Sequence, residues 1–182
     1  NLDCVSINEV KLGLKAGFAP EKILFTPNCV DLTEIEEAMK LGVHINIDNI
    51  SILEQFGNKY SDSYPIFIRI NPHIYAGGNH KISTGHIDSK FGISIHQLRH
   101  IERLVKSTKL NIEGLHIHTG SEIRDPDVFL QGMEIMFELV EHFPNLKYID
   151  MGSGFKISYH SDDMETDIAL LGKKVEDAFL SF

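Results

Sequence analysis

Four short apolar runs begin about 21 residues apart, at Leu2, Ile23, His44 and Pro65, and a helix-like segment follows each. That spacing constrains the fold more than any other feature of the chain. It holds one strand and one helix, and strands separated by helices pair in parallel through right-handed crossovers. The runs cover residues 2–6, 23–27, 44–48 and 65–71. Helix punctuation agrees with them. Asp31 stands as an N-cap before Thr33 and Glu34, Ile35, Ala38 and Met39 carry the apolar face, and Gly42 stops the helix. Residues 8–16 end at Gly17, and residues 49–56 are expected to end at Gly57. Self-similarity between the units is weak, so the repeat is one of architecture and not of a solenoid.

Two longer units follow. A strand at 112–119 lies between helices near 95–106 and 127–141, with Asp125 and Pro126 marking the entrance of the second helix. A sixth strand at 148–151 precedes a segment, 162–179, in which Ile168, Leu171, Val175 and Phe179 recur at helical spacing. Such a sheet is either doubly wound or a barrel. The polar residues favour the barrel. Asp3, Asn28, Asp48, Arg69, Asn71, His118, Ser121, Gly152 and Gly154 all fall at or near C-terminal strand ends, the face where barrel enzymes build their sites. A doubly wound sheet would gather them at one crevice. The expectation is an α/β chain with about six of the eight βα units of a TIM-type barrel.

Composition narrows the partners. At 182 residues and 42% apolar the chain has one sizeable core and is read as one domain, or part of one, over residues 1–182. A net charge of −9 argues against nucleic acid and anionic membranes, which need clustered Lys and Arg. Cys4 and Cys29 lie in or beside strands and read as reduced thiols in a cytoplasmic protein. No stretch nears the roughly 18 apolar residues of a membrane helix, and no signal peptide is visible. The chain opens inside an apolar run, which reads as a cut through a fold. Residues 72–92 form the one long irregular segment and are expected to be functional or mobile.

Two strands end in small-residue turns. One runs Gly114, Leu115, His116, Ile117, His118, Thr119, Gly120, Ser121; the other runs Tyr148, Ile149, Asp150, Met151, Gly152, Ser153, Gly154, Phe155. Glycines allow close backbone approach, and successive exposed N–H groups make an anion nest, so the turns read as two walls of a phosphate site. Gly152, Ser153 and Gly154 alone would fit a plain tight turn equally well, and Lys156 is read either as an aid to the phosphate or as a solvated lysine. His116 and His118 alternate and therefore share a face. They fit a metal pair, two satisfied core histidines, or a platform in which His118 faces a planar cofactor with Ser121 near its phosphate. Arg69 ends a buried run and needs partners, for which Asp3 and Asp48 are candidates in a structural ion pair. Glu9 fits the first turn of its helix.

These pieces converge on one family. Asp3, Cys4, Val5 and Ser6 with Glu9; Ile68, Arg69, Ile70, Asn71 and Pro72; Ser83, Thr84 and Gly85; Ser89, Lys90, Phe91, Gly92 and Ile93; and the two small-residue turns resemble, in order and spacing, the diaminopimelate decarboxylases of the alanine-racemase-like class. The resemblance covers nearly the whole chain. It implies a pyridoxal 5′-phosphate barrel followed by a β domain, and a small amino acid, meso-2,6-diaminopimelate, decarboxylated to L-lysine and CO2. It also implies a homodimer in the complete enzyme. By residue, it implies that His118 stacks on the pyridine ring, that Ser121 with the backbone of Gly152, Ser153 and Gly154 holds the phosphate, and that Asp3 and Arg69 line the site. The family usually carries three glycines where this chain has Gly152, Ser153 and Gly154. Its cofactor-bonding lysine, its pyridinium-pairing glutamate, its β domain and its interface cysteine and tyrosine have no counterpart here. The chain is therefore expected to be an internal piece with no catalytic residue or metal of its own, and inactive by itself. Related decarboxylases of ornithine, arginine or carboxynorspermidine, and a non-catalytic phosphate-ligand binder, are the alternatives.

Overall fold

The structure is a computed structural model and describes residues 1–74, 84–85 and 89–182. Along the chain run β1 (Leu2–Cys4), α1 (Ile7–Lys15), β2 (Ile23–Phe25), α2 (Leu32–Lys40), β3 (His44–Ile47), α3 (Ile50–Tyr60) and β4 (Ile66–Asn71). The remainder is β5 (Ile93–Ser94), α4 (Leu98–Thr108), β6 (Ile112–His116), α5 (Pro126–Val140), β7 (Tyr148–Asp150) and α6 (Ile168–Ser181). Every pairing among the described strands is parallel, in the order β1-β2-β3-β4-β6-β7, with the two-residue β5 joined to the end of β4.

Alternation along the strands decides what each face of the sheet does. Cys4, Ile23, Phe25, Ile45, Ile47, Ile66, Ile68, Ile70 and Leu115 are each 2% exposed or less and pack into one core with Val10, Ile35, Ala38, Leu53, Phe56, Ile101 and Met136 from the helices. The intervening positions carry Asp3, Thr26, Asn46, Arg69, His116 and Asp150, and these face the other way. Asp3 on β1 and Asp150 on β7, the two ends of the sheet, line the same cavities. A sheet whose end strands face one space is curled, so the chain forms a half-barrel with its helices outside and a polar concave side.

Local chemistry starts most of the helices where the sequence places them. Asp31 accepts from the N–H groups of Thr33 and Glu34, and Asn49 accepts from those of Ser51 and Ile52. Ser6 caps α1 while Glu9 reaches back to the Val5 N–H at 2.7 Å, which confirms its place in the first turn. Gly17 and Gly42 close α1 and α2 with φ of 95° and 75°. Gly57 is a correction: α3 runs through it to Tyr60. A Cβ there would sit 2.6 Å from Thr108 Oγ1 and 3.0 Å from Leu110 Cδ1, so this glycine lets α3 approach the end of α4 and does not terminate a helix. The last helix begins at Ile168, capped by Asp167, rather than at 162. Of the long irregular segment expected at 72–92, residues 75–83 and 86–88 lie outside the described residues.

One irregularity shapes the inside of the half-barrel. Ile66 pairs with Ile112 but Phe67 pairs with Gly114, so Glu113 is an extra residue in β6. Its buried carboxylate meets His44 Nδ1 at 3.0 Å and Lys147 Nζ at 3.3 Å. The Phe67 ring occupies the space where a Gly114 side chain would project, stacks on Tyr148 at 5.4 Å, and meets His44 edge-on at 5.5 Å. These rings line one cavity of about 570 Å³ near the N-terminal strand ends, and a second opens toward the C-terminal ends.

Candidate functional site

Past β6 and β7 the two chains stay together. The Ile117 N–H donates to the Asp150 carbonyl at 2.9 Å, and the Ile123 N–H donates to that of Gly154 at 2.9 Å. Between these bonds lie Gly152 and Gly154, with φ of 63° and 130°. A Cβ on Gly152 would sit 2.7 Å from the Ile117 carbonyl and 2.8 Å from His118 Nδ1, and one on Gly154 would overlap the Gly120 carbonyl. Both positions therefore need glycine, for conformation and for room. Ser153, the residue between them, is not among the positive-φ residues and has no such demand. The Gly152 N–H donates to its neighbour's Asp150 Oδ1 at 2.8 Å. Among the described residues, the Ser153 and Gly154 N–H groups donate to nothing.

A cavity of about 500 Å³ opens beside these turns. Asp3, Arg69, His118, Gly152 and Ser153 all line it, so β1, β4, β6 and β7 deliver five of the expected ligand-contacting residues to one space. Thr26, Thr84, Phe91, His116 and Asp150 complete much of the wall. Ser121 and Gly154 are not part of the lining. Ser121 is exposed, and its Cα packs behind Gly154, 3.0 Å from where that residue's Cβ would stand.

Among the described residues Arg69 forms no ion pair with Asp3 or Asp48, one of the two readings open for it. Asp3 instead accepts from Thr26 Oγ1 at 2.5 Å and Asp48 from Asn28 Nδ2 at 2.5 Å, a neutral donor of the adjoining strand region in each case. Arg69, 7% exposed, lies over the Phe91 ring with its Cζ 4.9 Å from the centroid. Burial lowers the Arg69 pKa while the fields of Asp48, Asp3 and Asp150 oppose that shift. Burial raises the pKa of Asp3, against the Thr26 bond and with the help of Asp150. Asp48 is raised by burial as well.

The two histidines divide. His116 is buried and its Nδ1 lies 2.5 Å from Asn46 Nδ2; burial, with Arg69 and His118 nearby, lowers its pKa to about 3, so the ring is neutral. His118 is only half-buried, its pKa lowered by burial and by Arg69, and its ring borders the Gly152 turn. Lys156 is neither solvated nor at the cavity. Its side chain is 10% exposed, its Nζ is 3.3 Å from Glu122 Oε1, and it lies over the Tyr159 ring. Thr26, Asn46 and Asp150 belong to the site without having been candidate residues in the sequence. The period-two series His44, Asn46, Asp48 was the available signal for Asn46.

Residues 1–181 match the family described as pyridoxal-dependent decarboxylase, pyridoxal binding domain. The chain is 31% identical to a diaminopimelate decarboxylase of Methanothermobacter thermautotrophicus over 183 aligned positions, 98% of this chain and 43% of that protein. Against the Staphylococcus aureus diaminopimelate decarboxylase the figures are 31%, 99% and 44%. Among solved structures it is similar to Helicobacter pylori diaminopimelate decarboxylase complexed with L-lysine, at 28% identity and a TM-score of 0.78 over 97% of this chain and 47% of that one. A Paramecium bursaria Chlorella virus arginine decarboxylase, at 20% identity and a TM-score of 0.76 over 98% of this chain and 48% of the other, shares the fold. The chain thus spans less than half the length of these relatives.

Proposed function

Since the chain belongs to the pyridoxal-dependent decarboxylases, through their pyridoxal-binding domain, we propose that residues 1–182 form part of the barrel domain of a diaminopimelate decarboxylase. The complete protein removes one carboxyl group of meso-2,6-diaminopimelate and releases L-lysine and CO2. One observation carries this reading: the Gly152 and Gly120 turns meet at the wall of a cavity that also holds His118 and Arg69. The residues present fit pyridoxal 5′-phosphate. Gly152 and Gly154 lack the Cβ atoms that would close the turn, and the unbonded N–H groups of Ser153 and Gly154 are donors of the kind a phosphate takes.

In this reading the Ser153 and Gly154 N–H groups bind the phosphate, with the Ser121 hydroxyl at the outer rim. Gly152 supplies conformation and not a donor. His118 packs a neutral ring against the pyridine face, and Asp3 and Arg69 line the reacting side. Arg69 keeps its charge, held over Phe91 and balanced at longer range by carboxylates. When bound, the cofactor supplies the electron sink that makes loss of CO2 accessible. Among the described residues no lysine lines the cavity, so the contribution of these residues is binding and orientation. We place the complete protein in the cytoplasm as a homodimer.

The test is a CO2-release assay of the complete protein on meso-diaminopimelate, ornithine and arginine with added pyridoxal phosphate. Turnover preferring meso-diaminopimelate is expected. Preference for ornithine or arginine would move the protein to a related decarboxylase, and cofactor binding without turnover would make it a phosphate-ligand binder.

A further inference from the structure

We propose that Asp150 is a positioning residue for the phosphate group, acting through the Gly152 turn; the proposal rests on the cofactor reading above and assigns the part of the site that sets the donors. A carboxylate beside an anion-binding turn is unfavourable unless its charge or its oxygens serve another group. Asp150 closes β7 in register with His116 and faces the same cavity as Asp3 and Arg69. Its Oδ1 takes the N–H of Gly152 at 2.8 Å, and Gly152 itself has a φ of 63°. That bond removes Gly152 from the donor set and fixes the peptide planes that follow it. The next two N–H groups, of Ser153 and Gly154, are left without partners among the described residues, and Ser153 lines the cavity. Asp150 thus sets the turn without touching the phosphate.

The acceptor oxygen and the charge make separable predictions. Asp150→Asn keeps a carbonyl for the Gly152 N–H and drops the charge; Asp150→Ala drops both. The probes are pyridoxine 5′-phosphate and pyridoxine, which lack the aldehyde and so form no imine with surface lysines. Their dissociation constants are measured by equilibrium dialysis on the complete protein freed of cofactor, with amide exchange at Gly152 followed in parallel. Wild type is expected to prefer the phosphorylated probe. Asp150→Ala should lose about tenfold of that preference, roughly one hydrogen bond, keep its affinity for pyridoxine, and exchange the Gly152 amide faster. Asp150→Asn should match or exceed wild type, because repulsion of the phosphate falls. An Asn variant as impaired as the Ala variant would show that an acceptor for the Gly152 N–H is not what Asp150 contributes and would overturn the proposal, as would an Ala variant with undiminished preference. If the Ala variant does not fold, the Asn variant alone decides, retained preference supporting the proposal and lost preference sinking it. A wild-type protein indifferent to the phosphate would instead overturn the cofactor reading, and with it this assignment.

Discussion

Gly154 lies against the carbonyl of Gly120 so closely that a single added methyl group would overlap the oxygen. This contact joins the turn after β7 to the turn after β6, and it makes two separate sequence motifs one wall of a cavity. Its φ of 130° is closed to side-chain-bearing residues in any case. Gly154→Ala is therefore expected to destabilise the chain by about 3 kcal/mol or more. The comparison is Gly17→Ala, at φ 95° with nothing within 4 Å of the added carbon, for which about 1 kcal/mol is expected. Urea-unfolding midpoints of the two variants measure the difference, and equal midpoints would contradict the contact.

Phe67 and Gly114 should behave as one unit. With the ring filling the Gly114 side-chain space, Gly114→Ala must displace it from Tyr148 and His44, at about 2 kcal/mol. Phe67→Ala should cost about 3 to 4 kcal/mol alone. In the double variant the added methyl has room, so the two costs should sum to at least about 1 kcal/mol more than the measured loss. Simple additivity in a double-mutant cycle would refute the packing.

Thr26→Val tests how Asp3 is held. The substitution keeps the shape and removes the hydroxyl that donates at 2.5 Å. Wherever Asp3 is ionised it loses a charge-assisted bond, an expected cost of about 1.5 to 3 kcal/mol. Burial already raises the Asp3 pKa and Thr26 opposes that rise, so the variant should raise it further. The destabilisation should therefore shrink as the pH is lowered through the folded pKa of Asp3, where a neutral carboxyl no longer needs the donor. Unfolding curves across that range give the answer.

The pH dependence of stability should carry the mark of His116. Its folded pKa of about 3 lies below the ordinary 6.5, so between those values the unfolded chain binds more protons and stability falls as pH falls. From pH 7 to pH 5 the expected loss from this group is about 2 kcal/mol. His118 and His73, whose pKa values burial also lowers, act in the same direction. Asp3 and Asp48 act oppositely, since their raised pKa values make the folded chain the better proton acceptor above the usual carboxylate range. His116→Asn should lose less stability than wild type over pH 7 to 5, and an unchanged slope would mean that His116 is not held neutral.

Residue spacing was enough to read the βα repeat, the parallel sheet and most helix ends, because caps such as Asp31 and stops such as Gly17 act within a few residues. It was not enough for Gly57, whose reason for being glycine is Thr108, some fifty residues away in the chain and adjacent only once α3 and α4 pack. The same holds at the site. Glycine turns after two strands were visible as an anion motif, but the partners of Arg69 were not, since the fold provides Phe91 beneath it and neutral donors on the carboxylates that could have paired with it. Lys156 was read by its nearness to the turn in sequence, and Glu122 holds it elsewhere.

Sequence by itself determined that this chain folds by strand-helix alternation, which strand positions are apolar and face the helices, and that two glycine turns end adjacent strands. Those properties follow from backbone periodicity and local sterics, which nearest neighbours settle. Tertiary structure alone decided that Gly154 and Gly120 touch, that Ser121 is exposed and outside the cavity lining, and that the Asp150 carboxylate accepts from the Gly152 N–H. Each of these depends on register across β4, β6 and β7, including the extra residue at Glu113. Register is set by packing over the whole sheet.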